Sequence, residues 1–443
     1  MMRVLKVFLL IFMTLQVVGQ DYFIKKISFD DRTNDGVKIF YHQDRLFALI
    51  GHFCGNLECA SIAELSFNGD TLWVTTIPDI DVARSTITIY GNTITVSGNN
   101  DPYNTQFRMA HYNLNGQKLG ETIEIEHPTE KFTRMFQLNT VKYGDNVLVT
   151  GTGEQNDTAY SLIYVMDNQS QIDTLIKIEP SSKYSVMWDV EINSNGELLT
   201  FHELDQGGSS EEYRKIIKYN QNLDTIWSYT SEMHNGGGPA VLELEDGRII
   251  YTKYADNASP HHYALRAINP DKTIDWQYQV SNGLESIGNL KQLKNGDIIG
   301  LGRFTNKLFE PEINRSPQLF RMTTDGELIW RRVFYELDLS DNESRSGGVR
   351  DIVEFDNGDL FGIGEMKYDG QNEVFVFKVD ADGCLDGDNC GLRQLITAVK
   401  DVHQNKGIDI YPNPSSGVFY IGLNEKYYNG KIKIYNSLGI EIL

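Results

Sequence analysis

NGDIIGLG (Asn295–Gly302) and NGDLFGIG (Asn357–Gly364) decide the fold. In each, Asn-Gly supplies the left-handed backbone of a tight turn, and the apolar, β-branched run after it suits a strand. Close copies are NGELLTF from Asn195 and DGRIIYTK from Asp246; looser ones are GNTITVSG from Gly91, GDNVLVTG from Gly144 and RLFALIG from Arg45. The aligned apolar residues are Leu46, Ile94, Val147, Leu198, Ile249, Ile298 and Leu360, with steps of 48, 53, 51, 51, 49 and 62 residues. Seven units of about fifty residues, with no helical period, form an array of identical supersecondary modules.

Each unit holds about four strands. Before the Gly turn lies one, as in STITIY (85–90), FQLNTVKY (136–143), MWDVEIN (187–193), AVLELE (240–245), LKQL (290–293) and RDIVEF (350–355). After it come a second strand, a polar loop and a hairpin such as ASIAELSFNGDTLW (60–73) or LFRMTTDGELIW (319–330). Trp73, Trp227, Trp276 and Trp330 open the last strand at one phase, which predicts packing between neighbouring units; Trp188 stands outside this set. Short antiparallel strands repeated seven times predict an all-β, seven-bladed β-propeller of four-stranded blades. The seventh unit lacks an outer strand, because after EVFVFKVD (373–380) the chain reads CLDGDNCG. Tyr22 to Phe29 (YFIKKISF) is left over and alternates, so it is expected to complete the last blade and close the ring.

Composition fits. The 443 residues carry 39 Gly and 11 Pro, and a formal charge of −21 that disfavours nucleic acid and anionic lipid as partners. Residues 1–19 read as a secretory signal peptide: Arg3 and Lys6, then the apolar run Val7–Val18, too short to span a bilayer. No later segment is a transmembrane candidate. The four cysteines form two close pairs, Cys54 with Cys59 and Cys384 with Cys390, read as disulfides in an exported chain; a zinc site is the alternative. Asp380, Asp382, Asp386 and Asp388 have a calcium-loop spacing, although a solvated turn is the preferred reading and no metal is assigned.

The C-terminal segment is distinct. Tyr411, Pro412, Asn413, Pro414, Ser416 and Gly417 form a YPNPSSG run, and Ile434, Tyr435, Asn436 and Gly439 an IYNSLG run. Together these resemble the type A C-terminal sorting domain of type IX secretion substrates in Bacteroidetes, over residues 409–443. The resemblance implies an incomplete small β-sandwich, export through the periplasm to a secreted or outer cell-surface location, and the type IX secretion machinery as a partner. The expected organisation is signal peptide 1–19, propeller 20–395, linker 396–408 and truncated sorting domain 409–443. Four Asp-Thr-apolar triplets, at Asp70, Asp157, Asp173 and Asp224, resemble O-glycosylation sites of Bacteroidetes exported proteins and equally suit hairpin turns.

No GxSxG, HExxH or phosphate loop occurs, and no catalytic residue or cofactor is assigned. His202-Glu203 lacks a second His; the HNGGGP run from His234 and the pair His261-His262 read as loops. The chain is thus read as a binding or interaction protein for an unknown glycan, peptide or envelope protein. The alternative is an extracellular hydrolase or lyase with acid and base residues drawn from several blades. Shifted carboxylates in the central channel would favour the enzyme, and an exposed aromatic cluster on one face the binding protein.

Overall fold

The computed structural model describes residues 22–27, 35–54, 57–80, 86–99, 107–125, 134–156, 158–167, 172–181, 184–205, 212–231, 240–254, 263–279, 284–304, 316–335, 347–368, 371–385, 393–395, 408–411 and 420–423. Two compact units divide after Thr397. The second contains a hairpin of Ile408–Tyr411 with Tyr420–Leu423. The first is the propeller.

Seven sheets follow one another along the chain, each with four antiparallel strands in sequence order from axis to rim, except that the N-terminal strand forms the rim of the last and a fifth strand joins the sixth. The innermost strands are Asp35–His42, Thr86–Tyr90, Arg134–Tyr143, Tyr184–Ile192, Val241–Glu243, Leu284–Gln292 and Gly347–Glu354, for blades 1 to 7. The Asn-Gly and Asp-Gly signals become one recurring turn. In blade 6, Leu293 N–H donates to the Asp297 carbonyl (2.7 Å) and Gly296 N–H to the Leu293 carbonyl (2.8 Å), with Gly296 at φ 91°. Blade 7 repeats it through Phe355, Gly358 and Asp359.

The closing strand is Phe23–Ile27. It pairs antiparallel with Gln371–Val379, from Phe23 opposite Lys378 to Ile27 opposite Val374, and forms the rim strand of blade 7. The expected closure is therefore formed. Closure is also visible in the core, which is not one mass but seven layers, one between each pair of neighbouring blades. The layer between blades 7 and 1 joins Ile27, Phe361, Ile363, Val374 and Val376 to Ile39, Leu46, Ala48, Ile50 and Ala63. Each sheet is thus apolar on both faces, which explains continuous runs such as Leu46–Ile50, all buried.

The rim tryptophans lock four of the seven blades to the next. Trp73 of blade 1 lies against Gly116 in the outer turn of blade 2, and Thr75 Oγ1 donates to the Gly116 carbonyl (2.9 Å). Trp227 Nε1 donates to the Pro270 carbonyl of blade 5, and Trp276 Nε1 to the Thr324 carbonyl of blade 6, both at 2.8 Å. Trp330 packs on Gly383 of blade 7. A Cβ at Gly69 of blade 1 would sit 2.4 Å from the Phe23 ring, so Phe23 takes the Trp role at the last joint. The sequence reading missed one strand: Arg393–Leu395 adds in parallel to the rim of blade 6, opposite Val333–Tyr335.

Candidate functional site

The strand ends that lead from second to third strands, and from each rim strand toward the next blade, lie at one end of the ring; the tight turns lie at the other. Two places gather chemistry: the axial channel and the tight-turn face.

The axial ring comes from one register position. Three residues before the innermost-strand partner of each aligned apolar residue stand Lys38, Thr86, Asn139, Asp189, Ala240, Asn289 and Asp351. In five of the seven strands a bulge falls beside this position. Charges from different blades converge here: Lys38 and Lys291 both pull on Asp189, which belongs to a third blade. Burial nevertheless pushes the Asp189 carboxyl up to about 6. Burial, then the neighbouring Asp189 charge, push Glu191 well above the usual carboxylate range, and burial lowers the Lys38 ammonium.

Hydrogen bonding decides what these carboxylates can do. Asp189 Oδ1 accepts from Val190 N–H (2.9 Å) and Oδ2 from Val241 N–H of blade 5 (3.2 Å). Asp351 Oδ1 accepts from Ile352 N–H (3.0 Å), Oδ2 from Ile39 N–H of blade 1 (3.0 Å), and Lys291 Nζ lies 2.5 Å away. Asn139 donates to the Trp188 carbonyl of blade 4 (3.3 Å). The position is a latch between neighbouring inner strands, and it satisfies amides that the bulges expose. Each of the four oxygens accepts a backbone amide, so both carboxylates do structural work at the joints between blades.

At the tight-turn face Tyr41, Phe67 and Phe355 form a mutually edge-on cluster, with centroids 5.3–6.2 Å apart. Tyr41 is 39% and Phe67 43% exposed. Tyr41 Oη donates to Asp44 (2.7 Å), which raises the phenol pKa. Lys378 lies over the rings of both Phe355 and Tyr22, and Tyr22 Oη donates to Asp359 (3.1 Å). The cluster is an aromatic surface rimmed by charge at the seam where the ring closes. Sequence reading missed it because its rings come from a strand end and a turn of blade 1 and a turn of blade 7, far apart in the chain. The available signal was Phe355, which occupies the turn position held by Leu244 and Leu293 in blades 5 and 6.

Of the residues singled out from sequence, Cys54 and Cys59 are disulfide-bonded at the tip of the central hairpin of blade 1. Cys384 is buried; Cys390, Asp386 and Asp388 lie outside the described residues. Asp380 Oδ1 accepts from the amides of Asp382 (2.9 Å) and Cys384 (2.7 Å), the arrangement of a capped turn. Residues 1–19, His234, His261 and His262 also lie outside the described residues, as do the sorting-motif residues except Tyr411, which pairs with Tyr420. His202 is buried, bonded to Ser161 (3.0 Å) and Thr200 (2.7 Å), and burial pushes its pKa down to about 3. Glu203 pairs with Arg214 and accepts from Trp188, both at 3.0 Å. The HE dipeptide thus serves the packing of blade 4.

The fold defines a seven-bladed β-propeller protein. Residues 409–443 match the family described as "Secretion system C-terminal sorting domain". The chain is therefore a type IX secretion substrate of Bacteroidetes type, which engages that machinery and passes through the periplasm to a secreted or cell-surface location. No helix among the described residues is long and apolar enough to cross a membrane. No curated protein sequence matches the chain. Among solved structures it is similar to polysaccharide lyase Uly1 (8% identity, TM-score 0.49, covering 81% of this chain and 92% of that one). It is also similar to the endo-arabinase of Bacteroides thetaiotaomicron (9%, 0.37, 67% and 93%) and to the acylaminoacyl peptidase of Pyrococcus horikoshii (10%, 0.45, 79% and 53%). At these identities and scores the likeness carries no argument about activity.

Proposed function

We propose that the chain is an exported binding protein whose tight-turn face, around Tyr41, Phe67 and Phe355, docks a glycan, a peptide or another envelope protein. The observation that carries this reading is the exposure of two large aromatic rings within a three-ring cluster, next to Lys378, Asp44 and Asp359. Exposed aromatic rings cost hydration free energy and recover it when a ligand covers them, and the charged rim orients polar groups of that ligand. A hydrolase or lyase reading rests on Glu191, whose raised pKa keeps a proton in the channel. The structural use of Asp189 and Asp351, each holding an inner-strand amide of the next blade, weighs against it.

The test is a glycan and peptide array screened with the full exported chain, followed by Phe67→Ala and Tyr41→Ala on any hit. Loss of at least tenfold in affinity with an unchanged melting temperature is expected. Binding that survives both substitutions and fails in Glu191→Gln would move the site to the channel.

A further inference from the structure

In six of the seven blades the rim strand pairs with no further strand among the described residues, and an open strand edge is a template for pairing. Most of these edges are guarded. The rim of blade 7 carries Lys25 and Lys26, that of blade 3 Asp173, Lys177, Glu179 and Pro180, and that of blade 5 Asp275. The rim of blade 2 is only three residues long. Blade 6 carries Arg331 and Arg332 and is covered by Arg393–Leu395. Blades 1 and 4 have no charge on the edge strand: Thr71–Ile77 reads TLWVTTI and Thr225–Thr230 reads TIWSYT.

Blade 1 has the longer of the two edges, seven residues against six. Its sheet ends at Thr71–Ile77, with no further strand beyond among the described residues. After a bulge at Leu72 the strand pairs regularly with its neighbour from Trp73 to Ile77. Leu72 and Val74 are 58% and 38% exposed, on the face opposite the one that Trp73 and Thr75 turn toward Gly116 of blade 2. A run of seven β-formers without charge, Pro or Gly is what natural edge strands avoid unless something pairs with them.

The same chain shows what such an edge accepts. On blade 6 the strand Arg393–Leu395 adds at Val333–Tyr335, past the corresponding bulge. Counting from the shared Trp, Val333 and Phe334 correspond to Thr76 and Ile77 of blade 1. We propose that the rim strand of blade 1 docks an extended segment of a partner polypeptide, uncharged or basic and apolar at alternate positions, which adds as a fifth strand. Main-chain hydrogen bonds would supply the affinity and the apolar face at Leu72 and Val74 the selectivity. The chain's charge of −21 disfavours an acidic segment. A second copy is the poorer occupant, because one strand of seven residues falls far short of the roughly 20–30 residues a side of a stable interface.

The test uses the full chain and the uncharged probe acetyl-STVTVTVS-amide. Amide hydrogen exchange should show probe-dependent protection at residues 73–77. Val74→Lys with Thr76→Lys should weaken binding at least tenfold while Ile226→Lys on blade 4 leaves it unchanged. The same peptide, N-methylated at alternate residues on its pairing edge, should not bind. Absence of probe-dependent protection at 73–77, or equal binding by the double-lysine variant, overturns the proposal. A concentration-dependent dimer that the double-lysine variant abolishes also overturns it, and assigns the edge to a second copy.

Discussion

Removing residues 20–30 takes away only a terminal stretch, yet it should be among the most damaging deletions in the propeller. Phe23–Ile27 pairs with blade 7 over five register positions. At about 1 kcal/mol net for each of roughly five backbone hydrogen bonds, the pairing contributes about 5 kcal/mol. Ile24 and Ile27 are buried, in the layers facing blades 6 and 1 respectively. Burial contributes about 1.5–3 kcal/mol for each. The total, roughly 8–11 kcal/mol, is comparable with the stability of a whole domain. Deletion also strips the seam, since Phe23 caps Gly69 and meets Phe361 edge-on at 5.7 Å. In scanning calorimetry the shortened protein should melt about 10 °C lower or more, or aggregate through the bared edge of Gln371–Val379. Deleting 305–314 should cost far less, because loop length enters only logarithmically. Hydrogen exchange supplies the direct readout: amides of 23–27 should be protected in the parent, and those of 374–378 should lose protection in the variant. If the deletion melts within about 3 °C of the parent with 374–378 still protected, the assignment of closure to this strand is wrong.

Other consequences can be checked singly. Burial holds His202 neutral with a pKa near 3. The unfolded chain therefore takes up that proton first as pH falls below about 6.5, and stability drops on acidification. Between pH 7 and pH 5, urea unfolding of the parent should lose about 2 kcal/mol more than that of His202→Gln; parallel curves would refute the burial argument. Arg214→Met leaves Glu203 buried without its cation and should cost about 3–5 kcal/mol by urea unfolding, whereas replacing both partners with apolar residues should cost much less. Gly326→Ala forces a side chain into a backbone at φ 85° and onto the Trp276 ring, 2.7 Å from the new Cβ, and should lower the melting temperature more than Gly91→Ala, where the space is open. Non-reducing peptide mapping should find Cys54 joined to Cys59 and Cys384 to Cys390; free thiols at either pair would refute that pair. Without residues 409–443 the propeller should fold and stay in the periplasm of a type IX host, and equal export of the truncated form would refute the sorting role.

Spacing alone specified seven blades, because a turn of fixed chemistry must recur wherever the chain reverses, and Asn295-Gly296 or Asn357-Gly358 cannot serve another purpose in such a context. Counting strands in the last unit, and finding one too few, also placed the N-terminal strand before any contact was known. The equal phase of the tryptophans in four units pointed to joints between blades, since an aromatic at one fixed point of a module must meet the same neighbour each time. What remained illegible shares one cause: it depends on which distant residues meet. Phe23 replaces Trp at the seventh joint, but nothing in YFIKKISF marks it until Gly69 is seen beneath its ring. Asp189 and Asp351 look like ordinary strand carboxylates, and their role appears only when the next blade brings Val241 and Ile39 amides within 3.0–3.2 Å. Tyr41 and Phe67 meet within blade 1, and only closure of the ring brings Phe355 of blade 7 onto the same surface. Local sequence determines each blade, because turn chemistry and alternation act over a few residues; the latches, the seam and the aromatic face exist only between blades, where ring closure decides the partners.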